Sequence, residues 1–268
     1  MPHTRTRTLG PCSWGDGQYD GGLDLDMEPN GHGVWTQSLA PGETRPGRLS
    51  YTGQWRHGYI NGAGTYRLHS GMSYTGMWCD GYIHRGVIQY TDGTKYDGAL
   101  CEMLRDGLGT FSWENGDRYE GTFTAGEMTG HGALYHVDGY TYVGSIERGV
   151  SHGIGVETYP SGMTYTGAFD HSQRHGLGTM TWRSCSTYIG AFLQDDIHGD
   201  GVFHERTEPA GDVLWSFHGS FEHDRPTAGN VRNVAGMTEY HYTFATDCEY
   251  IYNCKRAPTN RRVLSVCG

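Results

Sequence analysis

The feature that most constrains this chain is a Tyr-x-Gly triplet that returns every 22 or 23 residues, at Tyr51, Tyr74, Tyr96, Tyr119, Tyr142, Tyr165 and Tyr188. A looser copy opens at Tyr19 and another at Phe217. Four residues after the first aromatic stands a second bulky apolar residue: Trp55, Trp78, Leu100, Phe123, Ile146, Phe169, Phe192 and Phe221. Eleven and thirteen residues after it comes a Gly-x-Gly, at 62/64, 107/109, 130/132, 153/155, 176/178 and 199/201. The copy at Tyr74 is one residue short and keeps only Gly86. Self-similarity at so short a period is the mark of stacked supersecondary units, each burying its apolar face against its neighbours.

The spacing inside one copy is that of β-strands, in which residues i, i+2 and i+4 share a face. Tyr119, Gly121 and Phe123 then form one row, ring, gap, ring, and Gly130, Gly132 and Leu134 form the partner row. Glycine weakens an isolated strand but is expected where another group approaches the backbone closely. The glycines of the triplets (Gly53, Gly76, Gly98, Gly121, Gly144, Gly167, Gly190) and of the Gly-x-Gly pairs (Gly62, Gly64, Gly107, Gly109, Gly130, Gly132, Gly153, Gly155, Gly176, Gly178, Gly199, Gly201) are therefore structural. They make room for rings lying over the sheet. Composition agrees: 43 of 268 residues are glycine, and 13% are aromatic within a hydrophobic content of only 36%. So much glycine excludes long helices, and its irregular spacing excludes collagen.

Two kinds of turn join these strands. Asp92-Gly93, Asn115-Gly116 and Asp138-Gly139, with Ser70-Gly71 and Ser161-Gly162 at the same position, are dipeptides of type I′ hairpins or glycine-bulge loops. The turn within each copy carries Gly58, Gly81, Gly126 or Gly149 in four copies. Met103, Ser172 and Asp195 replace glycine in others, so those loops are expected to differ in shape. The fold class that follows is all-β: an elongated single-layer antiparallel sheet of consecutive hairpins.

The segment YTGQWRHGYINGAGTY, echoed in YEGTFTAGEMTGHGALY and YTGAFDHSQRHGLGTM, resembles the MORN repeat. The resemblance covers residues 15–224, about nine copies, with a Pro- and Gly-containing insertion at 38–48 and an irregular loop expected at 205–213. Residues 1–14 are expected to be a disordered arm, and 225–268 a non-repeat cap with a basic tail. Tyr240, Tyr242 and Phe244 share a parity, as do Cys248, Tyr250 and Tyr252, which suggests two more strands capping the last edge. Family membership implies a sheet with an aromatic groove along one side. Period-two counting puts Tyr51, Trp55, Tyr74, Trp78, Tyr96, Tyr119, Phe123, Tyr142, Tyr165, Phe169, Tyr188 and Phe192 on one strand face, expected to be only partly covered and to bind a partner.

Catalytic chemistry is not legible. No Gly-x-Ser-x-Gly, Walker or kinase motif occurs, and no Gly-x-Gly extends into a dinucleotide fingerprint. His152, His175 and His198 recur at one repeat position, with His131 near it, but imidazoles one hairpin apart lie ~10 Å apart, too far for one metal. Asp195-Asp196 and Asp24-x-Asp26 do not continue into a calcium loop. The reading is a non-enzyme with no cofactor, no metal and no nucleic-acid partner. Seven scattered cysteines without a CxxC pair read as reduced thiols of an intracellular protein, and residues 1–9 lack the apolar core of a secretory signal.

Charge then ranks the function classes that the resemblance brings. Residues 51–223 carry 20 acidic and 10 basic side chains, a surface that anionic headgroups repel. Membrane contact is therefore not expected, and the phosphoinositide-binding tether stands second, beside a non-ciliary cytoskeletal scaffold. A protein-binding structural scaffold leads, with self-association also open to it. A chain made almost wholly of repeats is similar to the MORN subunits of ciliary radial spoke heads, which implies a cytoplasmic protein of the cytoskeleton, in the axoneme of a cilium or flagellum.

Overall fold

The computed structural model describes residues 7–37, 48–206, 213–233 and 239–243. Every regular element among them is a strand. The chain divides into two compact units, residues 1–130 and 131–268. The first holds β1 (Arg7–Trp14), β2 (Gly17–Leu23), β3 (Pro29–Gln37), β4 (Arg48–Arg56), β5 (Tyr59–Leu68), β6 (Ser73–Cys79), β7 (Tyr82–Gln89), β8 (Lys95–Cys101), β9 (Leu104–Ser112) and β10 (Arg118–Thr124). β11 (Glu127–Tyr135) carries the chain into the second. That unit holds β12 (Thr141–Glu147), β13 (Val150–Thr158), β14 (Thr164–Asp170), β15 (Gln173–Thr181), β16 (Thr187–Leu193), β17 (Asp196–Arg206), β18 (Val213–Glu222), β19 (Arg225–Asn233) and β20 (Glu239–Thr243).

Within each unit every strand pairs antiparallel with the next in sequence, giving a single-layer meander. The two glycines of a copy face each other across this ladder, as in Gly53↔Gly64, Gly98↔Gly109 and Gly144↔Gly155. The Gly-x-Gly members have different tasks. The second, such as Gly155, lies under a tyrosine ring. The first, such as Gly153 at φ 72°, sits where the register slips between Gly144 and Ile146. A bulge residue in the left-handed region is one that glycine adopts without strain.

The turns within copies are more uniform than glycine alone predicts. Met103, Ser172 and Asp195 have φ of 67°, 65° and 75°, beside 77° for Gly58 and 82° for Gly149. The residue before each is also left-handed, from His57 at 47° to Gln194 at 51°. Two consecutive positive φ values are the signature of a type I′ hairpin. The expected difference in loop shape is thus corrected: strand pairing on both sides imposes the turn. Turns between copies are three-residue glycine-bulge loops. In one, the Leu68 N–H donates to Met72 O and the Gly71 N–H to Leu68 O.

Both ends of the array also differ from expectation. Residues 7–14, expected as part of a disordered arm, form β1, which pairs with β2 through Cys12↔Tyr19 and Trp14↔Gly17. Residues 225–233, expected outside the repeats, are the second strand of the last copy: Gly219 faces Gly229 as Gly190 faces Gly201. The signal was Gly229, twelve residues after Phe217, the same shortening as Tyr74 to Gly86. β20 covers the edge of β19. Residues 38–47 of the insertion, 207–212 of the expected irregular loop, and the pairing proposed for Phe244, Cys248, Tyr250 and Tyr252 lie outside the described residues.

Candidate interaction surfaces

The ring row is the core of each unit. Tyr51, Tyr96, Tyr142, Tyr165 and Tyr188 are 0% exposed, Tyr119 and Phe123 1%, and Trp55, Tyr74, Trp78, Phe169 and Phe192 no more than 7%. This corrects the expectation that a single-layer sheet leaves these rings partly open to a partner. The reason is the direction each ring takes. Each of several row tyrosines donates its hydroxyl to the carbonyl three residues on, Tyr96 to Ala99 O at 2.7 Å and Tyr142 to Ser145 O at 2.7 Å. The ring is thereby laid flat along its own strand, over the glycine pair. A Cβ built on Gly155 would lie 2.5 Å from the Tyr142 ring. The residue four positions on closes the other side. Tyr165 meets Phe169 at 5.2 Å and, from the following copy, Phe192 at 4.8 Å, both edge to face. Tyr51 meets Trp55 and Trp78 in the same way. Burial pushes the phenols of Tyr51, Tyr96, Tyr165 and Tyr188 up to about 12.

The ring face of the first unit holds a hollow among the described residues. Trp14, Trp35, Trp55, Tyr59 and Tyr66 line this hollow at the start of the array, with the Trp35 indole N–H donating to Trp14 O at 3.0 Å. In the second unit the ring face carries a buried carboxylate instead. Glu157 is 6% exposed and accepts the hydroxyls of Tyr140 at 2.6 Å and Tyr159 at 2.9 Å. Burial and the adjacent Glu157 drive the Tyr140 phenol far above its ordinary value.

The reverse face remains open, and there the two units diverge. Across β12–β16 three rows of residues face away from the rings. One is Thr141, Thr158, Thr164, Thr181 and Thr187, and the next is Val143, Val156, Thr166, Thr179 and Ile189. The third is Ser145, Ile154, Ala168, Leu177 and Ala191, in which Ile154 opposes Ala168 and Leu177 opposes Ala191 while bulges offset the other neighbours. None of these fifteen positions is charged, in a chain with 19% charged residues. Ile154 is 64% exposed, Leu177 74% and Ile189 50%. A shallow depression on this face is bounded by Thr179, Thr181, Thr187, Ile189 and His204, with Arg183 and Arg206 also lining it. Neighbouring His218 and Arg206, together with burial as the larger cause, hold the His204 imidazole below its ordinary value. The corresponding face of the first unit, over β5–β10, carries Arg67, Arg85, Lys95, Asp97, Arg118 and Glu120.

The turn edge collects polar contacts from one copy to the next. Asp24 accepts the backbone N–H groups of Asp26 and Glu28, and its other oxygen lies 3.0 Å from His57 Nδ1. The bond from Glu28 leads the causes that keep the Asp24 carboxyl below its usual range. Arg174 Nε donates to Asp195 at 3.1 Å. His152 lies against Asp170 and His171 of the following turn. Equivalent positions of the histidine column lie one hairpin apart. The approach that matters joins a strand position to a turn position, which a single period does not reveal.

An open antiparallel layer of glycine-seated tyrosines defines a repeat scaffold. The chain carries MORN repeats: the family model matches residues 51–73, 104–118, 119–139, 142–164 and 165–184. Among curated proteins no match is found. Among solved structures, the chain is similar to the TCP domain of SAS-4 from Drosophila melanogaster, solved in complex with a proline-rich motif of Ana2. The identity is 13% and the TM-score 0.40, over 69% of this chain and 97% of that one.

Proposed function

We propose that this protein is a non-enzymatic scaffold that docks a partner protein on the reverse face of β12–β16, as a subunit of an axonemal assembly such as the radial spoke head. The observation that carries the docking surface is the uncharged, β-branched platform centred on Val156, Thr166 and Thr179. Burial of the ring row already satisfies folding, so exposed Ile154, Leu177 and Ile189 have no structural reason to be apolar. Contiguous apolar surface left open in this way marks interaction sites. The partner it fits is a protein with an equally neutral, apolar surface. The net charge of −10 opposes an anionic membrane, and Arg183 and Arg206 beside the platform are fewer than the cluster of basic residues that such binding needs. Assignment to the axoneme rests on the likeness to the radial spoke MORN subunits.

The experiment is affinity recovery of partners from a ciliated cell with the wild type and with the double variant Ile154→Lys/Leu177→Lys. Both positions are exposed, so the fold should persist by circular dichroism while axonemal partners are lost. Equal recovery by the folded double variant would refute the docking surface. Recovery of partners from outside the axoneme would refute the assembly.

A further inference from the structure

We infer that His152, Asp170 and His171 form a binding site for a divalent transition-metal ion of the zinc class, with Glu147 as the outer partner of His152. The site bridges two successive copies. His152 comes from the bulge of β13, whereas Asp170 and His171 come from the end of β14 and the turn after it. His152 Nδ1 lies 3.4 Å from Asp170 Oδ1, and His171 Nδ1 lies 2.6 Å from that same oxygen. The candidate ligand atoms all fall within 4.8 Å of one another. Around a tetrahedral ion with bonds of about 2.1 Å, ligand atoms sit roughly 3.4 Å apart. The His152–Asp170 separation already has that value. The His171–Asp170 bond widens once the ion replaces its shared proton.

The far side of His152 supports the same reading. Glu147 Oε2 lies 3.9 Å from His152 Nε2. At that distance the carboxylate makes no direct hydrogen bond, but its charge favours a proton on Nε2, which leaves the Nδ1 lone pair facing Asp170. Orientation of a ligating imidazole by an outer carboxylate is the usual arrangement at metal sites. Two imidazoles and a carboxylate, with the fourth position left to water, suit zinc or cobalt better than calcium or magnesium.

Two other places on the turn edge look alike and lack one part each. His198 and His223 have the same 5.8 Å ring separation as His152 and His171, but the carboxylate bonded to His223 is Asp196, on the strand of His198 rather than beside the turn histidine. Asp24, Glu28 and His57 also converge, yet they offer a single imidazole, and one Asp24 oxygen is held by two backbone N–H groups.

The test is calorimetric titration of the metal-free full chain with Zn²⁺, repeated on His152→Asn, His171→Asn and the control pair His198→Asn/His223→Asn. Asparagine is chosen because it tolerates the left-handed φ of 49° at His171. The expected result is one site per chain, weakened about tenfold or more in each of the first two variants and unchanged in the control. Co²⁺ in the same site should show ligand-field absorption without a thiolate charge-transfer band, which separates it from binding at the free cysteines. His171 is 81% exposed, so its variant should fold even if the one in the bulge does not. No uptake by the wild type, or uptake undiminished in His171→Asn, overturns the site, as does a thiolate band with Co²⁺.

Discussion

The two units have the same ring face and opposite reverse faces. In the first, Tyr51 and Tyr96 are seated over Gly64 and Gly109, and in the second Tyr142 and Tyr188 are seated over Gly155 and Gly201. Behind the rings, the three central rows carry six charged side chains over β5–β10 and none over β12–β16. A sheet that completes its core on one side leaves the other free of folding requirements. Differences between the two reverse faces therefore report on what each meets rather than on how each folds. Scattered charges keep an open surface solvated, and the three central rows of β12–β16 do without them.

The largest expected effect tests the sameness of the ring faces. A Cβ at Gly98 would lie 2.5 Å from Gly109 Cα, and one at Gly144 would lie 2.5 Å from Gly155 Cα. Backbone cannot step aside as a flexible side chain does, so Gly98→Ala and Gly144→Ala should each cost about 3 kcal/mol of stability. Denaturant unfolding reads this directly. A large loss in one unit with tolerance in the other would break the equivalence.

Next comes the divergence. Val156 lies between Val143 and Thr166 on the neutral platform, and Thr75 lies between Thr65 and Val87 in the first unit. Val156→Lys should lower partner recovery by about tenfold, or ~1.4 kcal/mol, and Thr75→Lys should leave it unchanged. Both should melt within about 0.5 kcal/mol of the wild type. Equal losses from both would spread the docking surface over the two units.

A smaller contrast concerns carboxylates. Glu157→Gln replaces a buried acceptor of two tyrosine hydroxyls and should cost about 1 kcal/mol. Glu120→Gln in the first unit breaks a pair with Arg118 in which both side chains are nearly half exposed, and should cost less than about 0.5 kcal/mol. Thermal melting of the two variants checks the order.

The smallest effect is a pH dependence of opposite sign in the two units. The Asp196 hydrogen bond raises the His223 imidazole above 6.5. Its stabilisation is therefore present below pH 6.5 and fades as pH rises through the raised value. Asp24 is held below 3.8, so its contribution is present above pH 3.8 and fades as pH falls through the lowered value. His223→Asn should flatten the neutral slope of melting temperature against pH and leave the acid slope intact.

Much of this molecule was legible from period and parity. The Tyr-x-Gly register located the hairpins from Tyr51 to Phe192, and the Asn-Gly and Asp-Gly dipeptides located the turns between copies. What escaped has identifiable physical causes. Met103, Ser172 and Asp195 hide a turn that paired strands enforce without glycine. β1 has no triplet of its own and is held through its ladder to β2 and the hydrogen bond from Trp35 to Trp14. Gly229 marks a shortened copy whose register is restored only by pairing with Gly219. The fate of the ring row was the deepest miss. Alternation places Tyr142 and Tyr165 on one face but does not say whether a ring stands up from the sheet or lies along it. The Tyr142 hydroxyl bond to Ser145 O decides that. The reverse face lay in the same alternation, as the positions between the rings, and its lack of charge could have been counted.

The central claim, that the tyrosine row is core and interaction has moved to the opposite face, is tested most directly by spectrophotometric titration of the phenols alongside far-ultraviolet circular dichroism. Tyr51, Tyr96, Tyr165 and Tyr188 are pushed up to about 12. The stability that their burial confers is complete below pH 10 and is lost as pH rises towards 12. The account predicts that these row tyrosines ionise only together with the loss of strand structure. Ionisation of all the row tyrosines near pH 10, reversibly and with the strand signal retained, would show an open groove and contradict it.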